Sequence, residues 1–249
     1  MTRNGMLQTR IDENQKDGGS FSERAYRELR VRIIECDIAP GDVVTEAKLA
    51  LDLGVGQTPT REAVRRLVAE GFMTPKPRMG YEVTPITVAR VRETFEALRA
   101  FLPEVAILAA ARATPEERKK LEEITGALTR RDDGVLARNT RPFAFFFQLC
   151  RNPTIIEMTS GVLGHFERIG NFAFRCGMLM DDGHTAARAA ALKAFAGADE
   201  DLIRRSYRAL LDEIERIVVA ALYATPSLSE TPVQIGRVNK KIHDDQDNF

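Results

Sequence analysis

The feature of this sequence that most constrains its fold is a short break between two helical segments. The first segment, residues 46–53, repeats apolar residues at helical spacing and ends at Gly54, a residue suited to the left-handed position after a helix. Four residues later, Thr58 and Pro59 begin a second segment, with Thr58 as the expected N-cap and Pro59 in the first turn. That segment stops at Gly71. This arrangement predicts a helix-turn-helix.

The segments on either side extend this motif. Residues 22–36 repeat apolar residues every fourth position, which predicts a helix with Ser22 as its N-cap, and Pro40 follows its end. After Gly71, residues 72–74 and 81–83 flank a turn rich in proline and glycine, which predicts a small β-hairpin. The order of these elements predicts a winged helix-turn-helix over residues 21–84, whose second turn-flanking helix enters the DNA major groove.

The second helix of the motif also carries suitable side chains for DNA. At helical spacing the apolar residues between Ala63 and Val68 share one side, whereas Thr58, Arg61 and Arg65 cluster on the adjacent side near the helix start. A guanidinium there can bind two acceptors of a guanine or a phosphate, and backbone N–H groups at a helix start favour a phosphate.

The predicted hairpin adds two basic candidates, Lys76 and Arg78, at its tip. A different interpretation is equally compatible with the spacing, because charged residues commonly do no more than solvate a helix face. The residues concerned are Arg61, Arg65 and Arg66 beside Glu62 and Glu70.

The rest of the chain predicts a second, all-helical domain. From residue 85 to residue 225 nearly all positions follow the helical period, with breaks at Thr114-Pro115, Asp132–Gly134, Asn152-Pro153, Asp181–Gly183 and Gly197–Asp199. Thr114 and Glu117 fit a capping box. The fold class is therefore mainly α, a winged helix-turn-helix followed by an all-α bundle of six to seven helices. Residues 1–20 and 226–249 are too polar and aperiodic to pack and are expected to form a flexible arm and tail.

Composition excludes several other classes of protein. The 36 basic residues balance the 36 acidic ones, so net charge argues neither for nor against a nucleic-acid partner. No segment has the roughly 18 apolar residues of a membrane helix, and the start lacks an apolar signal region. We therefore expect a cytoplasmic protein without a membrane partner.

Nothing in the predicted bundle suggests catalysis. Residues 86–224 offer no Ser/His/Asp grouping or metal-ligand spacing, so an enzyme is not expected. The three cysteines, Cys36, Cys150 and Cys176, form no Cys-x-x-Cys pair and are expected to be small core residues in a reducing compartment.

Specific residues of both parts resemble one family of regulators. In the first part these are Ile38–Gly41, Leu49-Ala50, Leu53–Val55, Thr58–Val64, Leu67, Glu70–Phe72 and Pro77, Gly80 and Val83. Together they resemble the winged-helix domain of GntR-family transcriptional regulators. In the second part they are Leu108–Thr114, Asn152-Pro153 and Ala194–Asp199, which resemble the ligand-binding FCD domain of the FadR-type subgroup. The resemblance implies a homodimer that binds a short palindromic DNA operator, with a helical cavity for a small acid or acyl effector.

This chain departs from the family pattern in the turn of the motif. Members of the family usually carry Ser-Arg or Thr-Arg where this chain has Gly56-Gln57. An amide pairs better with adenine than with guanine, so the operator is expected to differ. The predicted DNA-binding residues are Gln57, Thr58, Arg61, Arg65, Lys76 and Arg78.

A second departure concerns metal. Many FadR-type domains bind a divalent ion through an Asp and three His, but the matching positions here carry Phe146 or its neighbours, Arg188 and a residue near Leu210. The three histidines, His165, His184 and His243, are not expected to converge on one ion. We therefore predict no metal and no cofactor.

The residues present at those positions favour a different ligand. Phenylalanines between Phe143 and Phe147 supply apolar bulk, and Arg188 supplies a permanent cation. Arg99 lies where the family commonly has arginine. The predicted effector site is Arg99, Phe146 and Arg188, for an anionic, partly apolar small molecule. In the alternative, the phenylalanines plug the cavity and the helical domain of a DNA-binding dimer only dimerises.

Overall fold

In the computed structural model, residues 19–127, 145–176 and 182–224 are described. The first part of the chain forms three helices and three short strands among these residues. The helices are α1 (Phe21–Ile34), α2 (Glu46–Leu53) and α3 (Gln57–Ala69). The strands are β1 (Val43–Val44), β2 (Met73–Lys76) and β3 (Gly80–Val83). The predicted winged helix-turn-helix is confirmed.

The helix starts differ from the predicted ones. Ser20, not Ser22, caps α1, because its hydroxyl accepts the N–H of Glu23 at 3.2 Å. Gly56, not Thr58, is the N-cap of α3, since that glycine keeps an extended backbone while Gln57 is already helical. Thr58 is therefore an exposed residue in the first turn. The predicted end of α2 is correct, with Gly54 in the left-handed conformation at φ 64°.

The wing is a sheet of three antiparallel strands in the order β1-β3-β2. Val44 of β1 lies opposite Tyr81 of β3, and Lys76 of β2 lies opposite Gly80. Strand β1 was missed by the sequence prediction because two residues are too few to show an alternating pattern. It ties the wing to the start of α2, since Thr45 caps that helix.

Apolar contacts hold this part together. Ala63, Val64 and Leu67 of α3 are fully buried, so the predicted inner face of the helix is correct. They pack against Leu29 and Ile33 of α1 in one hydrophobic core. The burial of this face fixes which side of α3 remains outside.

In its described residues, the second part of the chain contains helices and connecting segments but no strand. It contains α4 (Val88–Arg112), α5 (Pro115–Ala127), α6 (Pro153–Arg175), α7 (Asp182–Gly197) and α8 (Glu200–Ala224), with a helical segment at 145–149. Thr114 and Glu117 form the predicted capping box, with hydrogen bonds of 2.9 and 3.2 Å between side chains and backbone N–H groups. Some predictions lie outside the described residues. These are the break at Asp132–Gly134, Phe143, His243, the arm up to residue 18 and the tail beyond residue 224.

The connection between the two parts, residues 84–87, has alternate residues buried. Thr84 and Ile86 are 4% and 5% exposed, and Ile86 belongs to the core of the helical part. Thr87 caps α4 by accepting the N–H of Arg90 at 3.2 Å. Among the residues described, no helix is both long and apolar enough to cross a lipid bilayer.

Candidate nucleic-acid interface

The start of α3 and its outer face form a compact exposed surface. Gln57, Thr58, Arg61 and Arg65 are all exposed, and they lie opposite the buried side of the same helix. No side chain caps the start of α3, because the N-cap position is Gly56. The backbone N–H groups of Gln57 and Thr58 therefore receive no side-chain cap, whereas Pro59 has no N–H. A phosphate is the acceptor that such a helix start favours.

Arg61 is held in place by a residue of the preceding helix. Its Nε donates to Glu46 Oε2 at 2.9 Å, and this hydrogen bond is the main cause that raises the pKa of Arg61. The Tyr81 hydroxyl donates to the other oxygen of the same carboxylate at 3.1 Å. Glu46 therefore links α2, α3 and the wing at the exposed surface.

Arg65 and Arg78 are the least restrained cations of this surface. Within the described part of the chain, neither guanidinium forms an ion pair. Arg78 lies at the tip of the wing with a left-handed backbone, φ 66°. Lys76, by contrast, is paired with Glu82 across the wing at 2.8 Å. Arg65 and Arg78 are the cations most available to a phosphate or a base.

Arg66 is also exposed, but it lies on the flank of α3 that faces α1. Its guanidinium pairs with Glu23 of α1 at 2.5 Å and lies 3.5 Å from the ring centre of Tyr26. Glu62 and Glu70 also bind α1, accepting from the Ser22 and Tyr26 hydroxyls. The three arginines therefore do not share one solvated face with these carboxylates: Arg61 and Arg65 face outward, and Arg66 holds α1 to α3.

Glu46 and Tyr81 were missed by the sequence analysis as parts of this surface. They are separated from Arg61 by 15 and 20 residues, so no local spacing relates them. The signal present was weak: Glu46 follows Thr45, the cap of α2, where acidic residues are common on helix-dipole grounds alone.

The three predicted effector residues differ in burial and in their partners. Phe146 is 4% exposed and packs in an aromatic cluster with Phe147, Phe195 and Tyr207, whose ring centres lie 5.5 to 5.8 Å from its own. Arg188 lies on α7 and is partly buried, and this burial lowers its pKa. No hydrogen bond or ion pair to its guanidinium occurs within the described ranges.

Arg99 is already engaged by carboxylates. Its Nε donates to Asp212 at 2.7 Å, and its Nη2 pairs with Glu215 on the same helix, α8. The guanidinium thus joins α4 to α8, and an anionic effector would have to displace two carboxylates to reach it. Arg99 lies on α4 and Arg188 on α7.

The positions expected to lack metal ligands are apolar or cationic in the structure. Phe146 and Leu210 are buried, and Arg188 is half-buried. Over the described ranges, no group of three or more His, Cys, Asp or Glu side chains could hold a metal ion.

Comparison with known families separates the chain into the same two parts. Residues 21–83 match a model described as bacterial regulatory proteins of the gntR family, and residues 93–213 match the FCD domain. The first match covers α1 to β3, and the second covers most of α4 through much of α8.

Three proteins illustrate the likeness in sequence. The Nta operon transcriptional regulator of Aminobacter aminovorans is 40% identical over 31% of this chain and 37% of its own length. The transcriptional repressor RspR of Escherichia coli is 32% identical over 41% of this chain and 45% of its own length. The regulator YdhC of Bacillus subtilis is 29% identical over 59% and 69%, respectively. The first two alignments thus span less than half of the relatives' length.

Solved structures share the fold. Escherichia coli McbR/YncC superposes with a TM-score of 0.69 at 17% identity, over 81% of this chain and 98% of that one. A GntR regulator from Rhodococcus gives 0.63 at 18% identity, over 80% and 98%. At this identity the likeness establishes only the arrangement of helices and strands.

Proposed function

Because the chain belongs to the GntR family of bacterial regulatory proteins and carries an FCD domain, we propose that it is a transcriptional regulator that binds operator DNA and senses a small molecule. One observation carries the DNA part of this proposal. Arg61 and Arg65 project from the outer face of α3, beside a helix start without a side-chain cap, while the inner face is sealed in the core. Such a regulator acts in the cytoplasm, with the DNA, and is not an enzyme.

The proposed contacts divide by their chemistry. Arg61, Arg65 and Gln57 would lie in the major groove, with Gln57 suited to adenine and the guanidinium groups to guanine or phosphate. Thr58 and the first-turn N–H groups suit a phosphate. Lys76 and Arg78 would extend the contact through the wing. A homodimer would place two such surfaces on a palindromic operator.

The test is a binding titration with the full chain. A duplex is first selected by the protein from a random-sequence library, and its affinity is then measured by fluorescence anisotropy at several salt concentrations. Affinity should fall with salt, with a log–log slope of about −0.9 for each phosphate neutralised. Failure to select any duplex at low salt would refute the proposed function.

For the effector we propose an anionic, partly apolar molecule such as an organic acid or acyl compound. Arg188 supports this because it is a half-buried cation for which the described residues provide no carboxylate. It lies two turns before Phe195 on α7, hence on the same helix face, about 10 Å along the axis. Phe195 in turn contacts Phe146, so charge and aromatic surface adjoin.

Replacing Arg188 with leucine should abolish the thermal stabilisation given by such an acid. An effector at about 100 times its Kd raises the free energy of unfolding by roughly 2.7 kcal/mol, and losing a charge-assisted contact removes most of this gain. A thermal-shift screen of organic acids on the wild type identifies the compound, and Lys193→Ala, an exposed change on the same helix, is the control. An unchanged shift in Arg188→Leu would exclude Arg188 from the site.

Purified protein should carry no stoichiometric transition metal. Phe146, Arg188 and Leu210 stand where the family resemblance places metal ligands, and none of them binds such an ion. Elemental analysis should give well under one metal per chain, and zinc, nickel or manganese should not shift the melting temperature. About one tightly bound ion per chain would contradict this prediction.

The packing of Phe146 favours one alternative function. Its ring stacks on Tyr207 and meets Phe147 and Phe195, so the aromatic cluster itself fills the interior. In that case the helical domain would serve a DNA-binding dimer only as its dimerisation unit. The same thermal-shift screen decides: this alternative expects stabilisation by no compound, and Arg188→Leu would itself raise stability by removing a half-buried charge.

A further inference from the structure

One face of α6 contacts the DNA-binding part of the chain. Gly164, His165, Arg168, Asn171 and Arg175 follow one another at helical intervals of 1, 3, 3 and 4 residues. Each of them lies against α1, the segment after α1, the end of α3 or the segment after β3. These five residues form the α6 face.

Three side chains of the α6 face donate to backbone carbonyls at the ends of DNA-binding elements. Asn171 donates to the carbonyl of Ile34, the last residue of α1, at 2.8 Å. His165 Nε2 bonds the carbonyl of Glu70, the C-cap of α3, at 2.9 Å. Arg168 donates to the carbonyl of Thr84, directly after β3, at 2.5 Å. One helix of the bundle therefore satisfies the C-terminal ends of three elements of the DNA-binding part.

Ion pairs and ring contacts surround these hydrogen bonds. Arg175 pairs with Asp37, in the segment after α1, at 2.6 Å. Arg30 of α1 pairs with Glu70 at 3.1 Å, and the same guanidinium donates to the carbonyl of Ser160 on α6. These contacts fix the orientation as well as the separation of the two parts.

The His165 ring adds an apolar contact to its hydrogen bond. It stacks on the ring of Phe72, with centres 4.3 Å apart. Burial lowers the pKa of His165, so the ring is neutral near pH 7 and its Nε2–H donates to the Glu70 carbonyl.

Gly164 sets how closely the two parts approach. A Cβ at this position would lie 2.5 Å from Arg30 Nη2 and 2.8 Å from the ring of Phe72. Phe72 is fully buried, so its ring has no room to move aside. On the same helix, a Cβ at Gly161 or Gly170 would meet nothing within 4 Å. The absence of a side chain at Gly164 therefore permits the contact.

The buried charge of Arg168 opposes this contact. Arg168 is 1% exposed, and burial lowers its pKa to about 10, so it stays charged at neutral pH. Over the residues described, its guanidinium forms no ion pair and its Nε has no hydrogen-bond partner. A buried cation without a carboxylate favours separation of the surfaces that enclose it.

We propose that the α6 face is a docking surface that holds the DNA-binding domain in one orientation, and that release from it lowers operator affinity. The proposal rests on the proposed regulator function. It assigns to α6 a link between bundle and DNA-binding domain besides the short connection at residues 84–87. The hydrogen bonds to the Ile34, Glu70 and Thr84 carbonyls and the close contact at Gly164 favour the docked arrangement. The charge of Arg168, which has no carboxylate partner among the described residues, keeps docking reversible.

The test replaces Gly164 with alanine and uses Gly161→Ala and Gly170→Ala as matched controls. All three changes add one methyl group to the same helix and raise its helix propensity, but only the first inserts an atom into the contact. Hydrogen exchange is followed in peptides that cover residues 34–38 and 84–87. Exchange there should become about tenfold faster in Gly164→Ala and remain unchanged in the controls.

Operator affinity is measured in parallel, with the duplex selected by the wild type. Gly164→Ala should weaken binding by about 5- to 10-fold, because a freed domain must be reoriented on the DNA. Asn171→Ala, which removes the donor to Ile34 without inserting bulk, should change exchange and affinity in the same directions. Equal exchange in Gly164→Ala and Gly161→Ala would overturn the docking surface.

Faster exchange with unchanged DNA affinity would overturn the coupling to DNA. If the wild type selects no duplex, the proposed function fails while the exchange data still test docking. A melting curve for each variant separates release from global unfolding, since release leaves the main transition of the bundle in place.

Discussion

Replacing Arg65 with alanine is expected to weaken duplex binding by about 1 to 3 kcal/mol, or roughly 5- to 150-fold in Kd. Arg65 is exposed on the outer face of α3, and in the part of the chain that the structure describes its guanidinium has no ion-pair partner. No protein contact must be broken before it binds a base or a phosphate. The measurement is an anisotropy titration with the selected duplex at fixed salt.

The matched control is the next residue on the same helix. Arg66→Ala removes the same charge, but Arg66 contacts Glu23 and Tyr26 on the flank of α3 that faces α1, so Kd should stay within about twofold. Arg61→Ala should weaken binding less than Arg65→Ala, since Glu46 already neutralises part of the Arg61 charge. Equal losses in the Arg65 and Arg66 variants would show that binding follows net charge rather than this surface.

Replacing Gly80 with alanine should destabilise the DNA-binding domain by about 2 to 5 kcal/mol. Gly80 has φ 111°, and a Cβ there would lie 2.3 Å from the carbonyl oxygen of Val44. That oxygen belongs to β1, and Thr45, which caps α2, follows directly. The clash with backbone forces β1 and the start of α2 to move. Urea unfolding of the full chain should show an earlier transition, together with loss of duplex binding.

Gly54 provides the control for backbone strain alone. It also has a positive φ, 64°, but a Cβ there would meet nothing within 4 Å. Gly54→Ala should therefore cost only about 1 to 2 kcal/mol, the cost of the left-handed conformation. If Gly80→Ala costs no more than Gly54→Ala, the close approach of the wing to β1 does not contribute to stability.

Features whose cause lies within a few residues were predicted correctly from the sequence. The stop at Gly54, the capping box of Thr114 and Glu117, and the buried side of α3 each depend on neighbours one helical turn away. The helix starts were placed two residues away from their true positions, because Ser20 and Ser22 are equally good caps by residue type. Only the backbone direction at Gly56 decided that α3 begins at Gln57.

The directions of the charged side chains were decided by the tertiary structure. Arg65 and Arg66 are adjacent residues of the same type. Because α1 packs against α3, Arg66 pairs with Glu23, 43 residues away, whereas Arg65 remains without an ion-pair partner among the described residues. Arg99 was predicted to meet an effector, and the approach of α8 supplies Asp212 and Glu215, more than 100 residues away. A long charged side chain can reach several partners, so its partner depends on which distant element packs next to it.

The sequence by itself determined the winged helix-turn-helix and the helical character of the second part, because hydrophobic periodicity and turn residues act locally. Only the tertiary structure decided how the two parts meet. Nothing in the local pattern marks His165, Arg168 and Asn171 as donors to the ends of α1, α3 and β3, at separations of 84 to 137 residues. Those bonds exist because unpaired carbonyls at the ends of buried elements must find donors wherever the packed chain provides them.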